Sequence, residues 1–255
     1  MRFLVAIPVF NEASNLQAVL RQVRRYVSEI LVVNDGSTDK TPQLLSRETG
    51  IFQIHHKVNR GYGQSLISAF NFAVAGAFDW LITMDCDEQH EPAQIPDFID
   101  AATLNNADII SGSRYLAAME GNSLPPPDRR TINRRITGVL NDLLGLRITD
   151  AFCGFKAYRV SVLTRLHLTV PGYGMPMQLW VQAADQSLRI REIPVRLIYK
   201  HSNRSFGGIL DDPEARLNYY HEILARELQV MSKSLERIEF SDLSQEVLAD
   251  VVSNR

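Results

Sequence analysis

The sequence WLITMDCDEQ at residues 80–89 points most clearly to the fold class. Its first five residues are almost all apolar, which predicts a short strand buried on both faces. Acidic and amide side chains follow at once. In an open parallel sheet, ligands bind beyond the carboxyl ends of the strands. The pattern therefore predicts a strand that delivers Asp85, Asp87 and Gln89 to a ligand-binding edge.

Other segments repeat this order of an apolar run followed by polar residues. Apolar runs at 2–7, 30–33, 51–55 and 107–110 predict further strands. Stretches with apolar residues at helical spacing separate these runs. Strand–helix alternation indicates a mainly parallel central sheet flanked by helices. We therefore predict an α/β fold.

The second half of the chain is less regular. Its predicted segments are a mobile loop with three consecutive prolines at 121–127, a basic helix at 130–146, a late strand at 190–199 and an amphipathic helix at 214–238. We expect a catalytic domain over residues 1–212. A C-terminal helical extension and tail then occupy residues 213–255.

The composition excludes several classes of protein. A length of 255 residues suits one large α/β domain or two small ones. A formal net charge of −2 argues against a nucleic-acid binder that relies on bulk positive charge. Two cysteines cannot form a disulfide framework, no apolar run reaches about 18–20 residues, and the N-terminus lacks a secretory pattern. We therefore expect a soluble, cytoplasmic protein.

The sharpest chemical signal is Asp85-x-Asp87-x-Gln89. Hard divalent cations prefer oxygen ligands, and Mg²⁺ is usually held by one or two carboxylates together with substrate phosphates. The alternative is a solvated acidic turn. The position of these residues directly after an apolar strand favours a cation site, with Mg²⁺ or Mn²⁺ neutralising charge on a leaving diphosphate.

Polar residues elsewhere have a functional and a structural interpretation. The turn NRGYG at 59–63 is typical of a phosphate-binding turn or of a turn that lets the next helix pack closely. Asp35 either accepts hydrogen bonds from a base or ribose or stabilises its own turn. His55 and His56 lack a third ligand at metal-site spacing, so we expect a surface or packing role. The arginine-rich segment 129–147 suits a phosphate, an anionic lipid surface or a solvated helix face.

Short segments in a fixed order carry a family resemblance. Three resemble glycosyltransferase family 2: IPVFNE at 7–12, VNDGSTDKT at 33–41 and MDCDEQH at 84–90. Three more are similar to its dolichol-phosphate mannose synthase branch: GSR at 112–114, DAFCGFKAYR at 150–159 and IPV at 193–195. The resemblance implies the GT-A fold, which is Rossmann-like. It also implies inverting sugar transfer from a nucleotide-diphosphate donor to a polyprenyl phosphate.

The resemblance further implies roles for residues at matching positions. Those that line the base and ribose pocket are Pro8, Phe10, Glu12 and Asp35. Those that meet the metal and the donor diphosphate are Asp85, Asp87 and Gln89, and we expect Asp87 to be catalytic. Those that grip the acceptor phosphate are Arg114, Arg129 and Asn133. The loop that clamps the diphosphate carries Lys200 and Arg204.

Several positions depart from the family pattern. Phe10 replaces the usual Tyr, so a stacking face is kept but a hydroxyl is lost, and Tyr62 replaces the usual Lys between two glycines. Gln178 stands where Glu is common, which weakens the assignment of a base there. At 200–206 the sequence KHSNRSF replaces Arg-x-x-Gly-x-Ser-Lys, so the basic residues are displaced.

Acceptor chemistry decides whether a general base is needed. A phosphate acceptor is already ionised, whereas a hydroxyl acceptor needs a carboxylate, for which Asp150 is the candidate. Asp150 alternatively orients the phosphate-binding arginines or helps to hold the metal. Two other functions remain open: transfer to a soluble or glycan hydroxyl, and nucleotide-sugar binding without catalysis.

Two features, the C-terminal helix and the implied acceptor, suggest interaction partners for the protein. Mixed charges on the helix favour packing on the domain or pairing with a second copy of the chain as a homodimer over membrane insertion. A polyprenyl-phosphate acceptor implies peripheral contact with the cytoplasmic face of a membrane.

Overall fold

The computed structural model describes residues 1–199 and 205–232. Within these residues a seven-stranded sheet has the order β3-β2-β1-β4-β6-β5-β7. Its strands are β1 (Phe3–Val9), β2 (Ile30–Asn34), β3 (Phe52–His55), β4 (Trp80–Thr83), β5 (Ile109–Ser113), β6 (Lys156–Arg159) and β7 (Ile190–Pro194). Only β6 runs against the others, because it pairs antiparallel with β4 and β5. The predicted mainly parallel sheet is confirmed.

Two strands differ from the sequence-based predictions. The sequence pattern does not predict β6, because this short strand begins with Lys156 and ends with Arg159. β7 ends at Pro194, so the prediction of a strand to residue 199 is wrong at its C-terminal end. Beyond Pro194 the chain contacts the proline-rich loop instead, and a peptide hydrogen bond of 2.7 Å joins Ser123 N to Leu197 O.

Helices cover both faces of the sheet. In the described ranges they are α1 (Leu16–Val23), α2 (Thr41–Leu45), α3 (Tyr62–Ala75), α4 (Ile95–Thr103), α5 (Pro127–Leu144), α6 (Val160–Leu163), α7 (Met175–Asp185) and α8 (Pro213–Ser232). α1, α2 and α4 share a core with one face of the sheet, and α3, α6 and α7 share a core with the other. The sequence pattern does not predict α7.

α8 packs against the rest of the molecule through an apolar face. Its buried Tyr220, Ile223 and Leu224 share a third core with residues of α5 and α7. The packing prediction is therefore confirmed for the described part of this helix. Pairing with a second copy stays a prediction, and the predicted continuation at 233–238 and the tail lie outside the described residues. None of the helices within 1–199 and 205–232 combines the length and apolar character that crossing a membrane requires.

Candidate active site

A cavity of about 960 Å³ opens at the carboxyl ends of β1, β2 and β4, where α5 and α8 approach them. Ten of the predicted site residues line it together: Pro8, Phe10, Glu12, Asp35, Asp85, Asp87, Gln89, Arg114, Arg129 and Asn133. Asp150 contacts Arg114 from behind the cavity wall. Lys200 and Arg204 lie outside the described residues. Strand ends and helices thus bring residues far apart in the chain to one place.

Asp85 follows β4 closely and is held from two sides. Tyr62 Oη donates a hydrogen bond to Asp85 Oδ1 at 2.8 Å. Burial and the adjacent Asp85 carboxylate raise the pKa of Tyr62 well above its ordinary value, so the hydroxyl remains a donor. On the other side, a Cβ added to Gly154 would lie 2.7 Å from Asp85 Oδ2 and 2.6 Å from Tyr62 Oη. Only glycine permits this approach.

His90 fixes the backbone of the same loop. The amide of Asp85 donates to His90 Nδ1 at 2.9 Å, which requires a lone pair on that nitrogen. Burial lowers the pKa of His90, in agreement with a neutral ring. The ring packs beside Phe155 with the centroids 5.3 Å apart. Sequence reasoning gives His90 no role, and its position just after the acidic motif is the only signal for it.

Asp87 and Gln89 lie in the tight turn after Asp85. Gln89 N donates to Asp87 Oδ1 at 3.0 Å, and Glu88 between them has a φ of 58°. Carboxylate and amide oxygens are the ligands that hard divalent cations prefer. Among the described residues, no group of three or more His, Cys, Asp or Glu side chains could hold a metal ion. A cation here therefore requires further oxygen ligands, such as those of a substrate.

Asp35 is buried and uses both carboxylate oxygens to order the neighbouring turn. Asp35 Oδ1 accepts a hydrogen bond from Arg60 N at 2.9 Å, and Oδ2 accepts one from Gly61 N at 2.8 Å. His56 Nδ1 lies 2.6 Å from Asp35 Oδ1, and His56 Nε2 lies 3.0 Å from Ser68 Oγ. The predicted packing role of His56 is confirmed. Asp35 lines the cavity and stabilises the neighbouring turn at 59–61 instead of its own.

The glycine turn at 59–63 packs against another loop. A Cβ at Gly61 or Gly63 would collide with backbone oxygens of residues 170–172. Two amides of the turn already bond to the Asp35 carboxylate. These contacts favour close packing over a phosphate-binding turn.

Asp150 is fully buried, with 0% exposure, and is surrounded by donors. Arg114 binds it with two nitrogens, Nε to Oδ2 at 2.6 Å and Nη2 to Oδ1 at 2.9 Å. Asn133 Nδ2 donates to Oδ1 at 2.7 Å. Although burial opposes ionisation, the Arg114 guanidinium and these hydrogen bonds hold the pKa of Asp150 far below its usual range. Such a carboxylate is a poor proton acceptor, and the geometry fits the alternative of orienting arginines.

Aromatic rings hold further arginines at the cavity. Arg129 Cζ lies 4.7 Å from the centroid of the Phe206 ring and 5.9 Å from that of Tyr199. Arg130 Cζ lies 3.6 Å from the centroid of Tyr115. Arginine over an aromatic face is a favourable contact that also fixes the guanidinium. Sequence reasoning misses these rings because they come from separate segments that only the fold brings together.

Phe10 and Glu12 occupy the loop after β1. Phe10 is 44% exposed at the cavity, so its ring face is accessible for stacking. Glu12 is buried, and its Oε2 accepts a hydrogen bond from Asn15 Nδ2 at 2.8 Å. Its amide donates to Thr41 Oγ1 at 3.0 Å, which ties this loop to the start of α2.

Gln178 forms hydrogen bonds to other parts of the fold. Its Oε1 accepts a hydrogen bond from Thr169 N at 2.6 Å. Its Nε2 donates to Glu227 Oε1 at 2.8 Å, which joins α7 to α8. This residue is absent from the cavity lining.

The fold and the acidic edge of the cavity define a GT-A glycosyltransferase. Residues 4–166 match the sequence profile described as "Glycosyl transferase family 2". The chain therefore belongs to glycosyltransferase family 2, as the resemblance implied.

Similar proteins extend the comparison beyond the matched residues. An undecaprenyl-phosphate mannosyltransferase of Micrococcus luteus is 29% identical in an alignment of 223 residues that covers 83% of this chain and 90% of the relative. A polyprenol monophosphomannose synthase of Mycolicibacterium smegmatis is 30% identical over 76% of each chain. A crystal structure of glucosyl-3-phosphoglycerate synthase from Mycobacterium tuberculosis with Mn²⁺, UDP and phosphoglyceric acid has a TM-score of 0.63 at 19% identity. It covers 90% of this chain and 78% of that chain, so the fold is shared.

Proposed function

We propose that this protein is an inverting glycosyltransferase that moves a sugar from a nucleoside diphosphate donor to a polyprenyl phosphate. The observation that carries the proposal is one cavity that joins an acidic edge, Asp85 and Asp87, to a wall with the cations Arg114 and Arg129. Transfer between two phosphate-bearing substrates needs both features. The names of the two relatives above, which both denote polyprenyl-phosphate chemistry, support the choice of acceptor.

The acidic edge suits the donor diphosphate with a divalent cation, Mg²⁺ or Mn²⁺. Asp85, Asp87 and Gln89 offer hard oxygen ligands, and the missing Cβ of Gly154 leaves room for the Asp85 carboxylate. We propose these three residues as the ligands from the protein. When bound, the cation neutralises charge on the leaving diphosphate. Tyr62 and His90 hold Asp85 in place from its side chain and its backbone.

The loop after β1 and the end of β2 suit the nucleoside. Pro8 and the exposed ring of Phe10 provide an apolar surface for a base. Glu12 and Asp35 lie behind this surface, and Asp35 keeps the 59–61 turn in shape.

The cationic wall suits the acceptor phosphate. Arg114 is aimed by its two hydrogen bonds to Asp150, and Asn133 completes the same network. Charge-assisted contacts from arginines bind phosphate oxygens strongly. Asp150 is then a positioning residue, because it acts through Arg114 and not on the substrate.

In the proposed reaction, the donor occupies the acidic edge of the cavity and the acceptor phosphate occupies the cationic wall. An oxygen of the acceptor phosphate attacks the anomeric carbon of the sugar while the bond from that carbon to the donor diphosphate breaks on the opposite face. The acceptor is ionised at neutral pH, so no side chain has to remove a proton. The residues of this chain align the two substrates and stabilise charge on both, which are large contributions to catalysis.

Contact with a membrane is part of the proposal, since a polyprenyl chain resides in a bilayer. Exposed arginines on and after α5, Arg134, Arg135 and Arg147, are suited to anionic lipid headgroups. We propose peripheral association at this side of the protein.

A transfer assay tests the proposed function. The protein is incubated with labelled UDP-, GDP- and dTDP-sugars, with Mg²⁺ or Mn²⁺, and with either polyprenyl phosphate, the matching polyprenol or a glycan. We expect lipid-linked product only with polyprenyl phosphate. Product only with the glycan would contradict the proposal and indicate transfer to a hydroxyl. Donor binding without product on any acceptor would indicate a binding protein without transferase activity.

A further inference from the structure

Arg216, on α8, lies beyond residues 4–166 that match the family profile, yet it lines the cavity. Its side chain is only 3% exposed. Arg216 Nη2 donates to Asp128 Oδ2 at 2.5 Å, and Nη1 donates to Leu210 O at 2.9 Å. An arginine held this firmly inside a substrate cavity needs an explanation other than solvation of a helix surface.

Phe206 connects Arg216 to the cationic wall. The guanidinium carbon of Arg216 lies 4.4 Å from the centroid of the Phe206 ring, and that of Arg129 lies 4.7 Å from the same centroid. The Tyr173 ring contacts Phe206 edge-on with a centroid distance of 5.3 Å. One ring therefore sets the positions of two arginines, because each gains from contact with its face.

The segment that carries Phe206 is itself anchored. Asp211 Oδ1 accepts a hydrogen bond from Phe206 N at 2.7 Å, and Asp211 Oδ2 accepts one from Ser205 Oγ at 2.5 Å. Asp212 Oδ1 then accepts a hydrogen bond from Ala215 N at 2.8 Å at the start of α8. These hydrogen bonds order the turn at 205–211 and the start of α8, the helix that carries Arg216.

The ion pair with Asp128 also affects the charge near the cavity. Asp128 precedes Arg129 in the first turn of α5, and its carboxylate would weaken the attraction of an anion to Arg129. Pairing with Arg216 compensates that negative charge. The pair therefore reduces the electrostatic effect of this carboxylate on Arg129.

We infer that Arg216 is a positioning residue for the acceptor phosphate, acting through Phe206 and Asp128 on Arg129, and this inference rests on the proposed function. α8 is then part of the catalytic machinery. A sequence comparison limited to the matched family region leaves this contribution out.

Steady-state kinetics with separate variation of donor and polyprenyl phosphate test the inference. We expect Arg216→Met to raise the KM for polyprenyl phosphate about tenfold or more, since the Phe206 ring loses one of its two arginines and the partly exposed Asp128 carboxylate beside Arg129 loses its counter-charge. The KM for the donor should change less than about twofold, because the donor end is built by other residues. Arg216→Lys, which keeps charge but loses the planar fork, should give an intermediate acceptor KM.

Matched variants separate this role from a general loss of folding. Phe206→Leu removes only the aromatic ring and leaves Arg216 and its ion pair with Asp128 in place, and it should raise the acceptor KM in the same direction. Arg226→Met, on an exposed position of α8, should leave both KM values unchanged. Equal increases in both KM values for Arg216→Met, or an unchanged acceptor KM for both Arg216→Met and Phe206→Leu, would overturn the inference alone. No transfer to polyprenyl phosphate by the wild type would overturn the proposed function as well.

Discussion

The two ends of the cavity are built in different ways. The acidic edge consists of residues that follow the parallel strand β4, so backbone topology brings Asp85 and Asp87 to it before any side-chain pairing. The cationic wall depends on side-chain pairs between segments far apart in the chain, such as Arg114 with Asp150 and Arg216 with Asp128. The acidic edge is therefore set by fold topology, and the wall by specific ion pairs and rings.

The largest effect is expected at the acidic edge. Asp87→Ala removes one of the proposed cation ligands, so activity should fall about 10³-fold or more, as the loss of a metal contribution of several kcal/mol implies. Activity assays across a Mn²⁺ titration, with isothermal titration of donor binding, measure this change. Full metal-dependent donor binding in Asp87→Ala would show that the cation is held elsewhere.

The next largest effect is expected at the centre of the cationic wall. Asp150→Asn keeps the shape of the side chain but removes the fully buried partner of the partly buried Arg114, which should cost about 3–5 kcal/mol of unfolding free energy. Chemical denaturation measures this cost. Transfer to polyprenyl phosphate should fall about a hundredfold because Arg114 loses its orientation.

The pH dependence of this variant distinguishes the two roles of Asp150. The pKa of Asp150 is lowered in the folded protein, so its stabilising contribution is present above the unfolded pKa of about 4 and is lost as pH falls below it. The stability difference between wild type and Asp150→Asn should therefore be constant from pH 6 to 8 and shrink below about pH 4. Loss of an acidic limb from the pH–rate profile in Asp150→Asn would identify it as a base instead.

A smaller effect on the acidic edge is expected from Gly154→Ala. The added Cβ would lie 2.7 Å from Asp85 Oδ2, so the carboxylate must shift and activity should fall about ten- to a hundredfold. Gly138→Ala in α5 is the matched control, because nothing lies within 4 Å of its added Cβ. The control should retain activity and gain up to about 1 kcal/mol of stability. Equal activity of the two variants would refute the close packing of Asp85 against residue 154.

The smallest effect is expected from Tyr62→Phe. It removes a single hydrogen bond to Asp85 Oδ1, worth about 0.5–1.5 kcal/mol, so donor affinity should weaken about two- to tenfold. Donor titration in the presence of Mn²⁺ measures this change, and the acceptor KM should stay constant. A larger change in acceptor KM than in donor affinity would move Tyr62 to the other end of the cavity.

The contrast between the two ends of the cavity also explains which structural elements could be predicted from the sequence. The strand β4 is predicted correctly, because a strand buried on both faces gives a continuous apolar run that ends where the polar residues begin. β6 is not predicted because it is short and has a basic residue at each end. Its antiparallel direction is set by pairing with β4 and β5, which are distant in the sequence. α7 is not predicted because much of its surface is buried, so its sequence shows no clear alternation of a polar and an apolar face.

For the site, residue type could be predicted but pairing could not. From the sequence, Asp150 is a candidate base, a support for the arginines or a metal ligand. The structure favours the second alternative, because Arg114 Nε lies 2.6 Å from Asp150 Oδ2. The hydrogen bond of His90 to the Asp85 amide and the contact of Phe206 with Arg129 could not be predicted from the sequence, since each depends on how the fold places the two partners. Such contacts require knowledge of the fold.

The central claim is that donor diphosphate and acceptor phosphate meet in one cavity, at its acidic edge and its cationic wall. A crystal structure with Mn²⁺, a nucleoside diphosphate and a short-chain polyprenyl phosphate tests it most directly. We predict anomalous density for Mn²⁺ beside Asp85 and Asp87, and the acceptor phosphate in contact with Arg114 and Arg129. Mn²⁺ away from the two aspartates, or a lipid phosphate bound outside this cavity, would contradict the account.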